Sequence, residues 1–84
     1  MRATHDIIAI RDYIGQFSPL AAQRMAIRLR QAGESLRDFP NRGRPISKGR
    51  RELTIVRPYI IRYRVDGERV GVISVRHGAR RPSP

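Results

Sequence analysis

The apolar residues of this chain change their spacing once, near its middle, and that change decides most of what it can fold into. Ala22, Met25, Leu29, Ala32, Leu36 and Phe39 follow one another at intervals of three and four, the stripe of an amphipathic helix. Beyond residue 50 the interval is two. Leu53 and Ile55 alternate with Glu52 and Thr54, and Tyr59, Ile61, Tyr63 and Val65 alternate with Ile60, Arg62 and Arg64. A helical stripe does not serve as a strand face, so helices come first and sheet second, an α+β arrangement.

Local signals set the expected boundaries. Ile7, Ile10, Ile14 and Phe17 predict a first helix over about residues 4–15, with Asp6 in its first turn at the positive end of the dipole and Gly15 at its close. Ser18 as N-cap and Pro19 at the first helical position predict a second helix over about residues 19–39, stopped by Pro40 and Gly43. The short turn between them makes an antiparallel helical hairpin. Residues 41–49 read as a loop. They are not a phosphate loop, because Lys48 precedes Gly49 rather than following it and no strand comes before. Strands are expected over about residues 51–57, 59–66 and 69–76, with Pro58 dividing the first two and Asp66-Gly67 forming a type I′ turn. The tail, 77–84, is expected to be irregular. The whole predicts a single domain over 1–84, the helical hairpin packed on a three-stranded antiparallel sheet.

In that arrangement Tyr59, Ile61, Tyr63 and Val65 face the helices, and Arg62 and Arg64 are driven to the opposite face. Charge repeats the asymmetry. Residues 1–39 hold six arginines against four acids (+2), while residues 40–84 hold twelve basic residues against three acids (+9). Such an imbalance points to a polyanion or an acidic protein partner. The longest apolar run, Ile7 to Ile10, is far too short to span a bilayer, and the N-terminus lacks the apolar stretch of a signal peptide. With no cysteine in the chain, the expected setting is the cytoplasm, with no membrane partner.

Few residues are suited to chemistry. His5 and His77 lie in different elements without a flanking carboxylate pair, so no metal site and no cofactor are expected. A serine triad has no convincing nucleophile, since Ser18 is spent as a cap. RNA cleavage would need a base, an acid and cations for the developing phosphorane charge. Only His77 has a side chain that titrates near neutrality, while arginine is a poor base. Stacking of bases on the sheet is disfavoured, because the outer face offers Ile60, Arg62 and Arg64 rather than aromatics.

The segments DIIAIRDYI (6–14), SPLAAQRMAIRL (18–29), LRDFPNRGRP (36–45), RELTIVRPYIIRYRV (51–65) and VISVRHGAR (72–80) together resemble the RelE/ParE superfamily of bacterial toxins. The resemblance implies the toxin of a type II toxin–antitoxin pair, silenced by a cognate acidic antitoxin. RelE-like members cut messenger RNA on the ribosome, and ParE-like members poison DNA gyrase. Here Ile60 stands after Tyr59 where the nuclease branch tends to have arginine. Arg51-Glu52-Leu53-Thr54 stands where that branch favours lysines, and residues 80–84 lack its late tyrosine. The ParE branch is therefore the closer likeness, implying gyrase as target and no catalytic residues. Target contact is expected from Arg57, Arg62, Arg64, Arg76, His77, Arg80 and Arg81. Antitoxin contact is expected from Ile8, Arg11, Met25, Leu29 and Arg57, with operator DNA reached only through the antitoxin. The rival implication, a ribosome-dependent endonuclease, would rest on His77, Arg51 and Arg76. Family members usually open with a strand before the first helix, where this chain has Met1 to Thr4, so that strand is expected to be missing or truncated, through a late start or trimming, or to be supplied by a partner pairing with the open sheet edge.

Overall fold

Ser18 opens the longer helix in the expected way. Its backbone is extended (φ −155, ψ 104), and its hydroxyl accepts the Ala21 N–H at 3.2 Å, satisfying one of the donors that a helix start leaves over. The computed structural model describes residues 2–78. Helix α1 is Arg2–Gly15 and α2 is Pro19–Ser35. Four strands follow, β1 Arg44–Ser47, β2 Arg50–Leu53, β3 Tyr59–Asp66 and β4 Arg69–His77, in one antiparallel sheet of order β1-β2-β3-β4. No helix among the described residues is long and apolar enough to cross a membrane.

The α+β arrangement and the helical hairpin are as expected; the sheet has one strand more. Strand β1 lies inside the expected loop because nothing in its composition announces it. All four residues are exposed, so no alternation shows, and Pro45 is tolerated only because this is an edge strand. Helix α2 stops four residues short of the expected 39. Leu36, Arg37 and Asp38 donate to the carbonyls three residues back, at 3.2 Å each, so the chain tightens out of α geometry while Leu36 stays fully buried. Phe39 and Phe17 fall beyond the helix ends and are 62% and 74% exposed, outside the stripes that predicted them. Strand β2 ends at Leu53 rather than 57. Pro58 has no N–H for a ladder, and a turn closed by Tyr59 N–H on the Val56 carbonyl (2.9 Å) takes over; Ile55 is left exposed and Val56 is buried.

The β3–β4 hairpin is present, with its turn one residue further on. Asp66 pairs with Arg69, which leaves Gly67 and Glu68 at the centre. Only Gly67 has positive φ (+61), the pattern of a type II′ turn rather than I′. A bulge then explains the uneven spacing of Val70, Val72 and Val75. Arg62 faces Ser74 while Tyr63 faces Val72, so Ile73 is the extra residue, and all three valines stay on the helix side.

That side holds the core: Leu29, Ala32 and Leu36 from α2 and its end, against Leu53, Val56, Tyr59, Ile61, Tyr63 and Val75. Ile7, Ile10 and Ile14 pack against it from α1. Asp6 lies in the second turn of α1, not the first, and its role is not dipolar. Its carboxylate accepts the Val75 N–H at 2.9 Å, fastening α1 to the edge strand. Tyr63, fully buried, donates its hydroxyl to the Pro40 carbonyl (2.7 Å) and accepts the Gly43 N–H (2.8 Å). A Cβ on Gly43 would meet the Glu52 carbonyl at 2.6 Å, so no larger residue fits there.

Candidate functional site

Cross-strand register sorts the basic residues by face. Arg51 pairs with Tyr63, and His77 with Tyr59, so both stand on the helix side. Arg76 pairs with Ile60, and Arg64 with Arg50, on the outer side. One outer row crosses all four strands: Arg44 opposite Glu52, Glu52 opposite Arg62, Arg62 opposite Ser74. Alternation put the arginines there; the meander aligned them.

Glu52 is the centre of this row. It is only 8% exposed, and its two oxygens accept from Arg62 Nη2 at 2.8 Å and Arg44 Nη2 at 3.1 Å. The hydrogen bond from Arg62, then that from Arg44, holds its carboxyl below the ordinary value against the opposing effect of burial. An ionised carboxylate here is stable because both oxygens are met. Among the described residues, Arg62 Nε is the one buried side-chain nitrogen or oxygen without a hydrogen-bond partner. Arg62 is also among the residues around a cavity of about 390 Å³, with Arg44, Glu52, Ile60, Ser74, Arg76 and Gly78.

A second cleft, of about 530 Å³, lies between α1 and the end of β4. Asp6, Ile10, Tyr13, Tyr59, Arg76 and His77 are among its walls. The His77 ring stands edge-on to Tyr59, centroids 5.5 Å apart. Gly78 N–H donates to the Pro58 carbonyl at 2.8 Å, fixing the end of β4 beside the turn that carries the exposed Arg57. Arg76, on the edge strand, borders both cavities.

The expected target residues are therefore divided. Arg62, Arg64 and Arg76 share the outer face; Arg57 lies on a neighbouring turn; His77 lies across the sheet from them; Arg80 and Arg81 lie outside the described residues. Of the expected antitoxin contacts, Ile8 (40%) and Arg11 are exposed, Met25 is half-buried, and Leu29 is 1% exposed. Leu29 is a core residue, unavailable to a partner on this fold. Of the set His77, Arg51 and Arg76, His77 and Arg76 border one cleft and Arg51 does not. Arg51 Nη1 donates to the Gly43 carbonyl at 2.6 Å and the Asn41 carbonyl at 3.3 Å, clamping the loop that Tyr63 also holds. No group of three or more His, Cys, Asp or Glu suited to a metal occurs among the described residues. Glu52, Arg44 and Ser74 carry no sequence signal of their own. Only the register brings them beside Arg62.

A family model described as the ParE toxin of type II toxin-antitoxin systems, parDE, matches residues 1–82. Toxin RelE2 of Caulobacter vibrioides is 57% identical over 79 residues, covering 94% of this chain and 90% of its own. Toxin RelE1 of the same organism is 35% identical over 81 residues, covering 93% and 87%. The solved chromosomal ParDE TA system from P. aeruginosa contains a chain that superposes with a TM-score of 0.76 at 26% identity, over 90% of this chain and 87% of that one.

Proposed function

Because this chain belongs to the ParE toxin family of type II toxin–antitoxin systems, we propose that it acts by poisoning DNA gyrase and is held silent by its cognate antitoxin. The observation that carries this reading is the separation of the candidate nuclease residues. Cleavage of RNA needs acid, base and cation around one phosphate, and here Arg51 is absent from the cleft that His77 and Arg76 border. Arg51 is moreover committed to two loop carbonyls. Docking on a protein needs no such convergence. It needs a complementary surface, and the outer face offers Arg44, Arg50, Arg64 and Arg76 around the Glu52–Arg62 pair.

The antitoxin, in this reading, covers the helical hairpin with an amphipathic helix. Ile8, Leu20 and Ile27 are exposed there at 40%, 56% and 41%, and acidic residues of the partner reach Arg11 and Arg57. Met25 lies beneath that surface.

A second reading, a ribosome-dependent messenger RNA endonuclease, is favoured by the names of the two relatives. Induced expression in cells separates the two. Gyrase poisoning gives double-strand DNA breaks with translated messages intact. Codon-positioned cleavage of messages, lost on His77→Ala and without DNA breaks, would overturn it.

A further inference from the structure

We propose that Arg50 and Arg64, side by side on the outer face of the sheet, form a clamp for one carboxylate of the target protein. The inference deepens the gyrase-directed reading and rests on its premise that this face meets a protein.

The Val65 N–H donates to the Gly49 carbonyl at 2.7 Å, which makes these two a hydrogen-bonded pair of the β2–β3 ladder. The next pair, Arg50 with Arg64, is therefore a non-hydrogen-bonded one, where Cα atoms stand only about 4.5 Å apart and side chains come closest. Two residues further along the same strands, the equivalent close site holds Glu52 opposite Arg62, and an ion pair of 2.8 Å forms there. At Arg50 and Arg64 the sheet instead sets like charges directly opposite, which costs stability. Both arginines are exposed, and among the described residues neither has an ion pair or a side-chain hydrogen bond. Glu52 does not serve them, since its two oxygens are taken by Arg44 and Arg62. Both guanidinium forks are left to donate outward.

The β4 side of the pair is open. Gly71 stands opposite Arg64 and is exposed, and a Cβ there would meet nothing within 4 Å. A side chain from outside reaches Arg64 across that gap unobstructed. One carboxylate has an oxygen for each arginine, as Glu52 has for Arg62 and Arg44 in the neighbouring row.

The same chemistry would hold a phosphodiester. Asp66 and Glu52 favour the single carboxylate. Each follows one of the two arginines by two residues on the same face, about 7 Å away along its strand. A phosphate backbone laid along the strands would meet a carboxylate on either side of the clamp. One acidic side chain entering perpendicular to the sheet meets the two cations alone.

The test uses the full chain, nitrogen-15 labelled, and follows the arginine Nε–H resonances at constant ionic strength. The probes are N-acetylglutamate N-methylamide and, separately, dimethyl phosphate, each a monoanion. The Arg50 and Arg64 resonances should move together and saturably with the glutamate probe, which should bind at least threefold tighter than dimethyl phosphate. Arg50→Gln and Arg64→Gln should each weaken it at least threefold. Arg28→Gln, which removes the same charge from α2, should leave it unchanged. Since either glutamine relieves the like-charge contact, neither variant should lower the denaturation midpoint of the free chain. A lower midpoint in both would make the pair part of the fold and overturn the proposal. Resonances that drift without saturating, or an Arg28→Gln effect as large as that of Arg64→Gln, would reduce the attraction to net charge, and the proposal would fall. Tighter binding of dimethyl phosphate would overturn it in favour of a nucleic-acid site. Because gyrase is absent from the titration, failure here leaves the gyrase reading standing, and failure against gyrase leaves the clamp standing.

Discussion

Tyr63, expected on the helix side of the sheet and fully buried there, also ties down a loop. Its hydroxyl joins Pro40 to Gly43, while Arg51 holds the carbonyls of Gly43 and Asn41. Phe-Pro-x-x-Gly-Arg and the second tyrosine of the sheet thus form one clasp between α2 and the sheet. Tyr63→Phe leaves the buried Gly43 N–H and the half-buried Pro40 carbonyl without this partner and should cost about 1–3 kcal/mol in chemical denaturation. An unchanged midpoint would mean that the clasp carries no stability. Glu52 is the other residue to test. Its carboxyl titrates below the ordinary value of 4.5. The stability from its ion pairs is therefore complete above the unfolded-state value and lost as pH falls through the folded one. Glu52→Gln should destabilise by about 1–3 kcal/mol near neutrality, less than a fully enclosed pair because Arg44 is largely exposed. It should also flatten the loss of stability below pH about 4.5, measured as denaturation midpoint against pH. Equal acid limbs in the two proteins would contradict the assignment.

Helices and hairpin were legible because each carries its own local chemistry: Ser18-Pro19 for a start, Gly67 for a turn, apolar spacing for the faces. Features set by pairing were not. Strand β1 has no buried residue to betray it, and the bulge at Ile73 depends on a partner strand that spacing alone does not place. The turn of β3–β4 was misplaced by one residue because Asp-Gly suits two registers, and cross-strand pairing selected the one with Gly67 first. Gly67→Ala tests this. Its Cβ would meet nothing within 4 Å, while φ is +61, so the cost should be purely conformational, about 1–2 kcal/mol. Asp66→Ala, outside the centre of the turn, should cost less. The reverse order would restore the type I′ register.

For the molecule as a whole, the sheet separates two tasks. Its helix side spends Arg51 and Tyr63 on holding the fold together, and its outer side presents arginines beyond what the fold uses. The excess positive charge was visible in residues 40–84, but which arginines are bound internally was not, since Glu52 meets Arg44 and Arg62 only across strands. The most direct measurement of the central claim combines plasmid DNA, purified gyrase and ATP with the chain freed of its antitoxin. The account predicts linear DNA trapped in covalent complex with gyrase, with Arg64→Glu and Arg76→Glu each reducing its yield at least tenfold while the fold stays intact. No trapped DNA at saturating toxin, with the antitoxin still bound tightly by the same preparation, would contradict it.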